Sequence, residues 1–337
     1  MDKINSIYPW QNELWHGLSQ NQTKRHHAFL MYGRAGIGKY DFAVNFSQSL
    51  LCSNKDAAGH ACQQCSSCHW FQDDSHPDFR LISPEQNEVA EDEPSTTKKQ
   101  KKKTQISIAQ IRELSDFLSL SSHQNDGVRI VLIQPAEALN AASANALLKV
   151  LEEPMPNVVF ILIAHQLQRL LPTIISRCQK VKMPIPTEAQ SLAWLSANGV
   201  SNAEQQLAYM EGSPIKVFNE QSEFEALQQI WSQLAMGQRM QPQSAASIVL
   251  ANSVESGVTA LQKWIYDLMA VKLCKQIRYH LPYASALQLL AEKVNLAGLF
   301  EFQKKTNELR KLATHPLNQE LQMESLLLDY IKLFKAN

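Results

Sequence analysis

The sequence predicts an α/β fold built on a parallel sheet, followed by an all-helical C-terminal third. Three observations carry this. Short runs that are almost wholly apolar (Ala28–Tyr32, Val128–Ile133, Val158–Ala164) alternate with helix-period segments, the pattern of parallel strands covered on both faces. A glycine-rich stretch, Gly33–Tyr40, joins the first run to a helical pattern. Beyond about Gln221 only helical periodicity remains.

The bulk properties agree. At 337 residues the chain is long enough for two domains, with room for a third. Hydrophobic residues make up 45% and charged residues 19%, ordinary for a folded globular protein. Lys plus Arg is 32 and Asp plus Glu is 32, so the formal charge is zero. This argues against a globally basic nucleic-acid binder and leaves a local basic face open. The longest clean apolar run, Val158–Ala164, has seven residues, against the roughly 20 of a membrane span. The N-terminal MDKINSIYPWQNEL has no basic stretch leading into an apolar one, so a signal peptide is not expected, and a cytoplasmic location is.

In order along the chain, Ala28-Phe29-Leu30-Met31-Tyr32 reads as a buried strand, and Phe42, Phe46 and Leu50 follow the glycine loop at helical spacing. Cys52–Cys68 forms a compact cysteine module, and Phe79–Ser83 reads as a second strand. Residues 85–105 run acidic and then basic with almost no apolar residues, and read as a solvated, disordered loop. The basic half, Lys98 to Lys103, is a candidate DNA contact; simple solvation is the plainer alternative. Ser107-x-x-Gln110 is a capping box ahead of Ile108, Ile111, Leu114 and Leu118.

Asn140–Glu153 reads as a helix with Ala144, Leu147, Leu148 and Leu151 inward and Lys149 and Glu153 outward. Pro184-Ile-Pro186 is a stiff connector and the first domain boundary. Two short helices follow, from the Thr187-x-x-Gln190 cap to Asn198-Gly199 and from about Ala203 to Glu211. In the last third, Phe224, Leu227, Ile230, Trp231 and Leu234 share one helical face, and Leu327, Tyr330, Ile331 and Phe334 share another. Cys274 sits in a helical apolar pattern and is expected in the core.

The chemical signals come in three groups. Gly33-x-x-x-x-Gly38-Lys39 matches a phosphate-binding loop, with Gly36 inside it. Glycines let backbone N–H groups converge on phosphate, and Lys39 would neutralise charge there. The Mg²⁺-binding Ser or Thr of that motif is replaced by Tyr40. The strand Arg129–Ile133 ends in Gln134-Pro135 where an ATPase carries acidic residues. ATP binding is therefore expected to be weak or absent, and hydrolysis by the chain alone is not expected. A purely structural turn is the alternative.

Cys52, Cys62, Cys65 and Cys68 are spaced C-x9-C-x2-C-x2-C. Four thiolates at this spacing can close a tetrahedral structural Zn²⁺ site; free thiols are the alternative. His60 and His69 are expected to be ordinary surface histidines. Ser176-Arg177-Cys178 closes the series, and Arg177 taken alone is one arginine near a strand.

Together these motifs resemble the clamp-loader branch of the AAA+ family: the loop, the Cys₄ insertion after its helix, Asn145–Pro154 (NALLKVLEEP), a strand, then Ser-Arg-Cys. The resemblance covers most of the first 215 residues. It implies an α/β P-loop AAA+ domain over 1–184 with the zinc module at 52–68, a small helical lid over 185–220, and an all-α collar for oligomerisation over 221–337. It also implies a ring in the DNA polymerase III holoenzyme that loads the sliding clamp onto primed DNA, with tau/gamma motor subunits and a delta subunit as partners. On this resemblance the chain is a non-motor stator, and Arg177 is an arginine finger lent to a neighbouring motor. Gly212-Ser213-Pro214 matches the lid motif, but Ile215 stands where a nucleotide-sensing Arg is expected. Two rival readings are a motor ATPase of the same ring and a zinc-dependent nucleic-acid-binding module. The first needs the residues that Tyr40, Gln134 and Pro135 replace. The second needs a basic surface, and Lys55, next to Asp56, is the one strong base within the module.

Overall fold

The architecture is that of a computed structural model, which describes residues 7–20, 26–84, 104–119, 127–252, 254–312 and 319–334. The chain forms two compact units, Met1–Thr187 and Glu188–Asn337. The expected charged loop at 85–105 falls largely outside the described residues.

The first unit holds a five-stranded sheet in the order β2-β3-β4-β1-β5. The strands are β1 (Ala28–Tyr32), β2 (Phe79–Ile82), β3 (Arg129–Ile133), β4 (Val158–Ala164) and β5 (Gln179–Lys182), and every pairing is parallel. The central strands β1 and β4 pair Ala28 with Phe160 and Tyr32 with Ala164. Alternate side chains feed two cores, as strand geometry requires. Ala28, Leu30, Phe160 and Leu162 pack with Ile111, Leu114, Leu147 and Ile174 on one face. Phe29, Met31, Ile161 and Ile163 pack with Trp15, Phe42 and Phe46 on the other.

The helices of this unit are α1 (Asn12–Gln20), α2 (Lys39–Leu51), α3 (Ser66–Gln72), α4 (Ile108–Ser119), α5 (Ala141–Glu152) and α6 (Pro172–Arg177). The capping box at α4 forms: Ser107 N–H donates to Gln110 Oε1 at 2.9 Å and Gln110 N–H to Ser107 Oγ at 3.4 Å. Asn140 caps α5 by accepting the Ser143 N–H at 2.9 Å. On α5, Leu147 and Leu151 are buried as expected, while Leu148 is only half-buried at the margin of the same core.

The second unit is helical throughout its described residues: α7 (Glu188–Ala197), α8 (Ala203–Tyr209), α9 (Pro214–Asn219), α10 (Gln221–Ala235), α11 (Pro242–Asn252), α12 (Val254–Cys274), α13 (Ala284–Lys293), α14 (Leu296–Leu312) and α15 (Gln319–Lys332). One apolar cluster joins Leu195, Leu207 and Val217 to Phe224, Trp231, Trp264 and Tyr330. The helices on either side of residue 220 therefore share a core. At its centre Trp264 Nε1 donates to the Tyr330 hydroxyl, which donates to Leu234 O, each at 2.8 Å. This ties α12, α15 and α10 together and gives both the Trp264 N–H and the Tyr330 hydroxyl a partner.

Cys274 is not in the core. It is exposed at the last position of α12, past the turns that pack, and its thiol turns back to Ala270 O at 3.1 Å. Among the described residues no helix is long and apolar enough to cross a membrane.

Candidate functional site

The glycine loop lies where the sequence places it, between β1 and α2. Gly33 N–H donates to Ala164 O at 3.2 Å, which ties the loop to the end of β4. Gly38 has φ +81°, and a Cβ there would lie 2.3 Å from the Tyr8 ring, so both backbone and neighbour demand glycine. The segment around Tyr8 seals the loop from the N-terminal side. Trp10 Nε1 donates to Ile37 O at 3.1 Å, and Gln11 Nε2 donates to Ile37 O at 3.1 Å and Gly38 O at 2.9 Å. The Tyr8 hydroxyl donates to Asp41 Oδ2 at 3.0 Å, and the Tyr8 and Trp10 rings stack with centroids 5.0 Å apart. Nothing in the sequence marks Tyr8, Trp10 and Gln11 as loop partners, because their role depends on contacts some 27 residues away in the chain.

Lys39 is only 3% exposed. Its ammonium donates to Gly33 O at 2.7 Å and to Arg34 O. It is thus turned onto the loop's own carbonyls. Burial lowers its pKa to about 8, and the charge of Glu137 opposes that shift. Tyr40 is half-buried and packs against the core of Phe42 and Phe46. Gln134 follows β3; its Oε1 is buried and takes no hydrogen bond from any described residue, and the Gln134–Pro135 peptide is cis.

Two residues near the loop escaped the sequence reading. Glu137, in the turn after β3, accepts the backbone N–H groups of His165 and Gln166. His165, at the exit of β4, is held below its usual pKa by burial and by Lys39. The available signal was position: Glu137 follows the end of β3 and His165 the end of β4, the strand that pairs with β1.

The four cysteines converge. Cys52 caps the C-terminus of α2 and Cys65 the N-terminus of α3. Sγ–Sγ distances are 3.5 Å for Cys52–Cys62, 3.9 Å for Cys52–Cys65 and 4.0 Å for Cys62–Cys68, and all four sulfurs lie within 4.8 Å of one another. A tetrahedron with Zn–S bonds of about 2.3 Å has edges of about 3.8 Å. The spacing fits a zinc ion held by these four residues. Burial resists ionisation of Cys65, but backbone N–H groups of Cys68 and Ser53 together with the thiols of Cys68 and Cys62 bring it down to about 6. His69 is exposed, as expected. His60 is not an ordinary surface residue: it stacks flat on Trp15, centroids 4.5 Å apart, because the segment leading to Cys62 folds back over α1.

Arg177 ends α6, a short helix rather than the end of a strand, immediately before β5. Its side chain is 34% exposed. Nη1 donates to Thr173 O at 3.0 Å, and Nη2 pairs with Glu152 Oε1 at 2.6 Å. The neighbouring Cys178 is buried and anchors the segment. In the second unit, Gly212 has φ +75° and Ile215 is buried in α9.

A family model described as DNA polymerase III, delta subunit, matches residues 10–187. A DNA polymerase III subunit delta' from Pseudomonas aeruginosa is 33% identical over 344 residues, covering 97% of this chain and 98% of that one. The chain belongs to the delta-prime-like clamp-loader family of AAA+ proteins. A subunit delta' from Haemophilus influenzae is 34% identical over 204 residues, covering 60% of this chain and 57% of its own length. Among solved structures, a DNA polymerase III gamma subunit-related protein from Thermotoga maritima aligns over 96% of this chain with 16% identity and a TM-score of 0.47.

Proposed function

We propose that this chain is the non-motor stator of a bacterial sliding-clamp loader, and that it lends Arg177 to a neighbouring motor subunit. The observation that carries this reading is the state of its own phosphate loop. Tyr40 is half-buried against the core, Gln134 and Pro135 offer no carboxylate, and the Lys39 ammonium donates to Gly33 O and Arg34 O. Such a loop lacks the groups that hold Mg²⁺ and orient an attacking water. Arg177 has the opposite disposition. A guanidinium is a fixed cation with a planar fork of donors that suits a γ-phosphate, and here it is half-exposed at a helix end.

In this reading, the loop residues Gly33, Gly36, Gly38 and Lys39 keep their shape without turnover. Cys52, Cys62, Cys65 and Cys68 hold a structural zinc. Residues 185–220 serve as the lid, and 221–337 form the collar through which the chain joins the ring. Its partners are the tau/gamma motor subunits and the delta subunit in the cytoplasm; sliding clamp and primed DNA are reached through the ring. The test is reconstitution. The purified chain should assemble with tau/gamma and delta and restore clamp loading to rings that lack it. Failure to assemble, or steady ATPase activity from the chain alone, would overturn the reading.

A further inference from the structure

The strand exits beside the phosphate loop hold a carboxylate that no part of the stator reading uses. Glu137 lies in the turn Ala136–Ala138, just past β3. Its Oε1 accepts the N–H of Gln166 at 2.6 Å and that of His165. Its Oε2 is buried and takes no hydrogen bond from any described residue. The same corner is tied to the loop by backbone: Ala164 O accepts the Gly33 N–H, and Gly33 O accepts the Lys39 ammonium. An unbroken path of neighbours therefore runs from Lys39 through Gly33 and the β4 exit to Glu137. Lys39 and Glu137 make no direct hydrogen bond, so the carboxylate acts on the ammonium through space.

Charge decides what such a corner can accept. A working phosphate loop offers a lysine and a divalent cation to the β- and γ-phosphates. Here Tyr40 and Gln134 supply no metal ligand of the required kind, so the cations of the loop are Lys39, which is buried, and Arg34, which is exposed. A half-buried carboxylate held at the β4 exit offsets the charge of Lys39 and repels an incoming polyanion. A buried ammonium is unfavourable alone, and so is a carboxylate with one oxygen buried and unpartnered among the described residues; each relieves the other.

We propose that Glu137 is a built-in counter-anion of the phosphate loop, holding electrostatically the place that the β/γ-phosphates of a nucleotide take in a working loop and so excluding phosphate ligands. This deepens the stator reading and rests on its view of the loop. Its test uses the isolated full chain, so a failure of Arg177 to act in the ring would leave this proposal standing, and the reverse. Glu137→Gln removes the charge and keeps an acceptor oxygen for the β4-exit N–H groups.

The probe is inorganic pyrophosphate, titrated calorimetrically at neutral pH, with ATP as a second ligand. Glu137→Gln should bind pyrophosphate at least about tenfold more tightly than the unmodified chain. Adding Lys39→Met should remove that gain. A folded Glu137→Gln chain that binds no better than the unmodified chain overturns the proposal. If Glu137→Gln does not fold, the double variant Lys39→Met/Glu137→Gln decides through its thermal midpoint. With both charges gone no uncompensated ion remains, so the double variant should fold and melt above either single variant. A double variant no more stable than the weaker single one contradicts the pairing.

Discussion

Lys39 and Arg177 are cations on the same sheet-based unit, and their surroundings are opposite. Lys39 begins α2, is 3% exposed, and donates to two carbonyls of the loop that precedes it. Arg177 ends α6, is 34% exposed, and keeps one edge of its fork on Glu152 and a helix carbonyl. A buried cation with two of its three donors on its own loop, and a carboxylate nearby, is poorly placed to receive a phosphate. A cation at a helix end, with a solvated partner as its counter-charge, can exchange that partner for a stronger anion. The difference teaches how one fold can lose a site and keep another. In the proposed reading, Tyr40, Gln134 and Pro135 take the metal-binding chemistry out of the loop, whereas the segment carrying Arg177 is anchored by the buried Ile174 and Cys178, away from those positions.

The largest effect expected from disturbing this contrast is at the cysteine cluster, because Cys52 caps the far end of the helix that Lys39 begins. One zinc per chain is expected by metal analysis. In small zinc peptides such binding contributes on the order of 10 kcal/mol to folding, and a larger unit loses a smaller share. Chelation should lower the melting temperature of the first unit and loosen α2 in hydrogen exchange. A metal content near zero in protein purified without chelator removes the zinc assignment.

Truncation sharpens the contrast between units. The helices before and after residue 220 share one apolar core, so a cut there exposes buried leucines, whereas a cut between 187 and 188 follows the division of the chain. A 1–187 fragment should fold and retain zinc yet fail to enter the ring. Entry of that fragment into rings at full-length levels would show that assembly does not need the second unit.

The next effect is in pH. Burial brings Lys39 to about 8, and burial likewise brings Lys263, which lies over the Tyr209 ring, to about 8. Both values are below the ordinary 10.5 of an unfolded lysine. From about pH 8 to 10.5 the unfolded chain retains protons that the folded chain has released. These two groups therefore make stability rise with pH across that window, by up to about 3 kcal/mol each. Lys39→Met should remove one share of the rise in denaturant titrations at pH 7.5 and 9.5. An unchanged slope would mean that Lys39 is solvated.

The smallest effect is at the ion pair. Both partners are more than a third exposed, or nearly so, and exposed pairs contribute about 0–1 kcal/mol. Glu152→Gln should leave the melting temperature within a degree or two and change ring ATPase by less than about fivefold. A larger loss would make Glu152 a required support for Arg177.

Legibility in the sequence followed how local each signal was. β1, β3 and β4 announce themselves as apolar runs because they are buried on both faces. β5 does not: in Gln179-Lys180-Val181-Lys182 only Val181 faces the core, as suits an edge strand guarded by lysines. α6 is short, and its paired isoleucines resemble a strand end. The cysteine cluster was readable from spacing, since its ligands lie within one short segment. Glu137, His165, Tyr8 and Gln11 were not, because each reaches the loop from a distant part of the chain and belongs to no motif of its own. Cys274 shows the limit of periodicity: a helix can continue its apolar pattern one residue past the surface it packs on.

The central claim is that this chain gives an arginine to a neighbour and takes no nucleotide chemistry for itself. The most direct measurement is clamp-stimulated ATPase and clamp loading by rings rebuilt with Arg177→Ala, checked first for unchanged melting temperature and zinc content. In other systems an arginine supplied in trans contributes about 10³- to 10⁵-fold at its site. Since other sites of the ring keep their own arginines, total ATPase should fall by the share of one site, and loading should fall with it. Arg177→Lys should behave like Arg177→Ala, because a point charge does not replace the fork. Wild-type rates in both assays with Arg177→Ala would contradict the account.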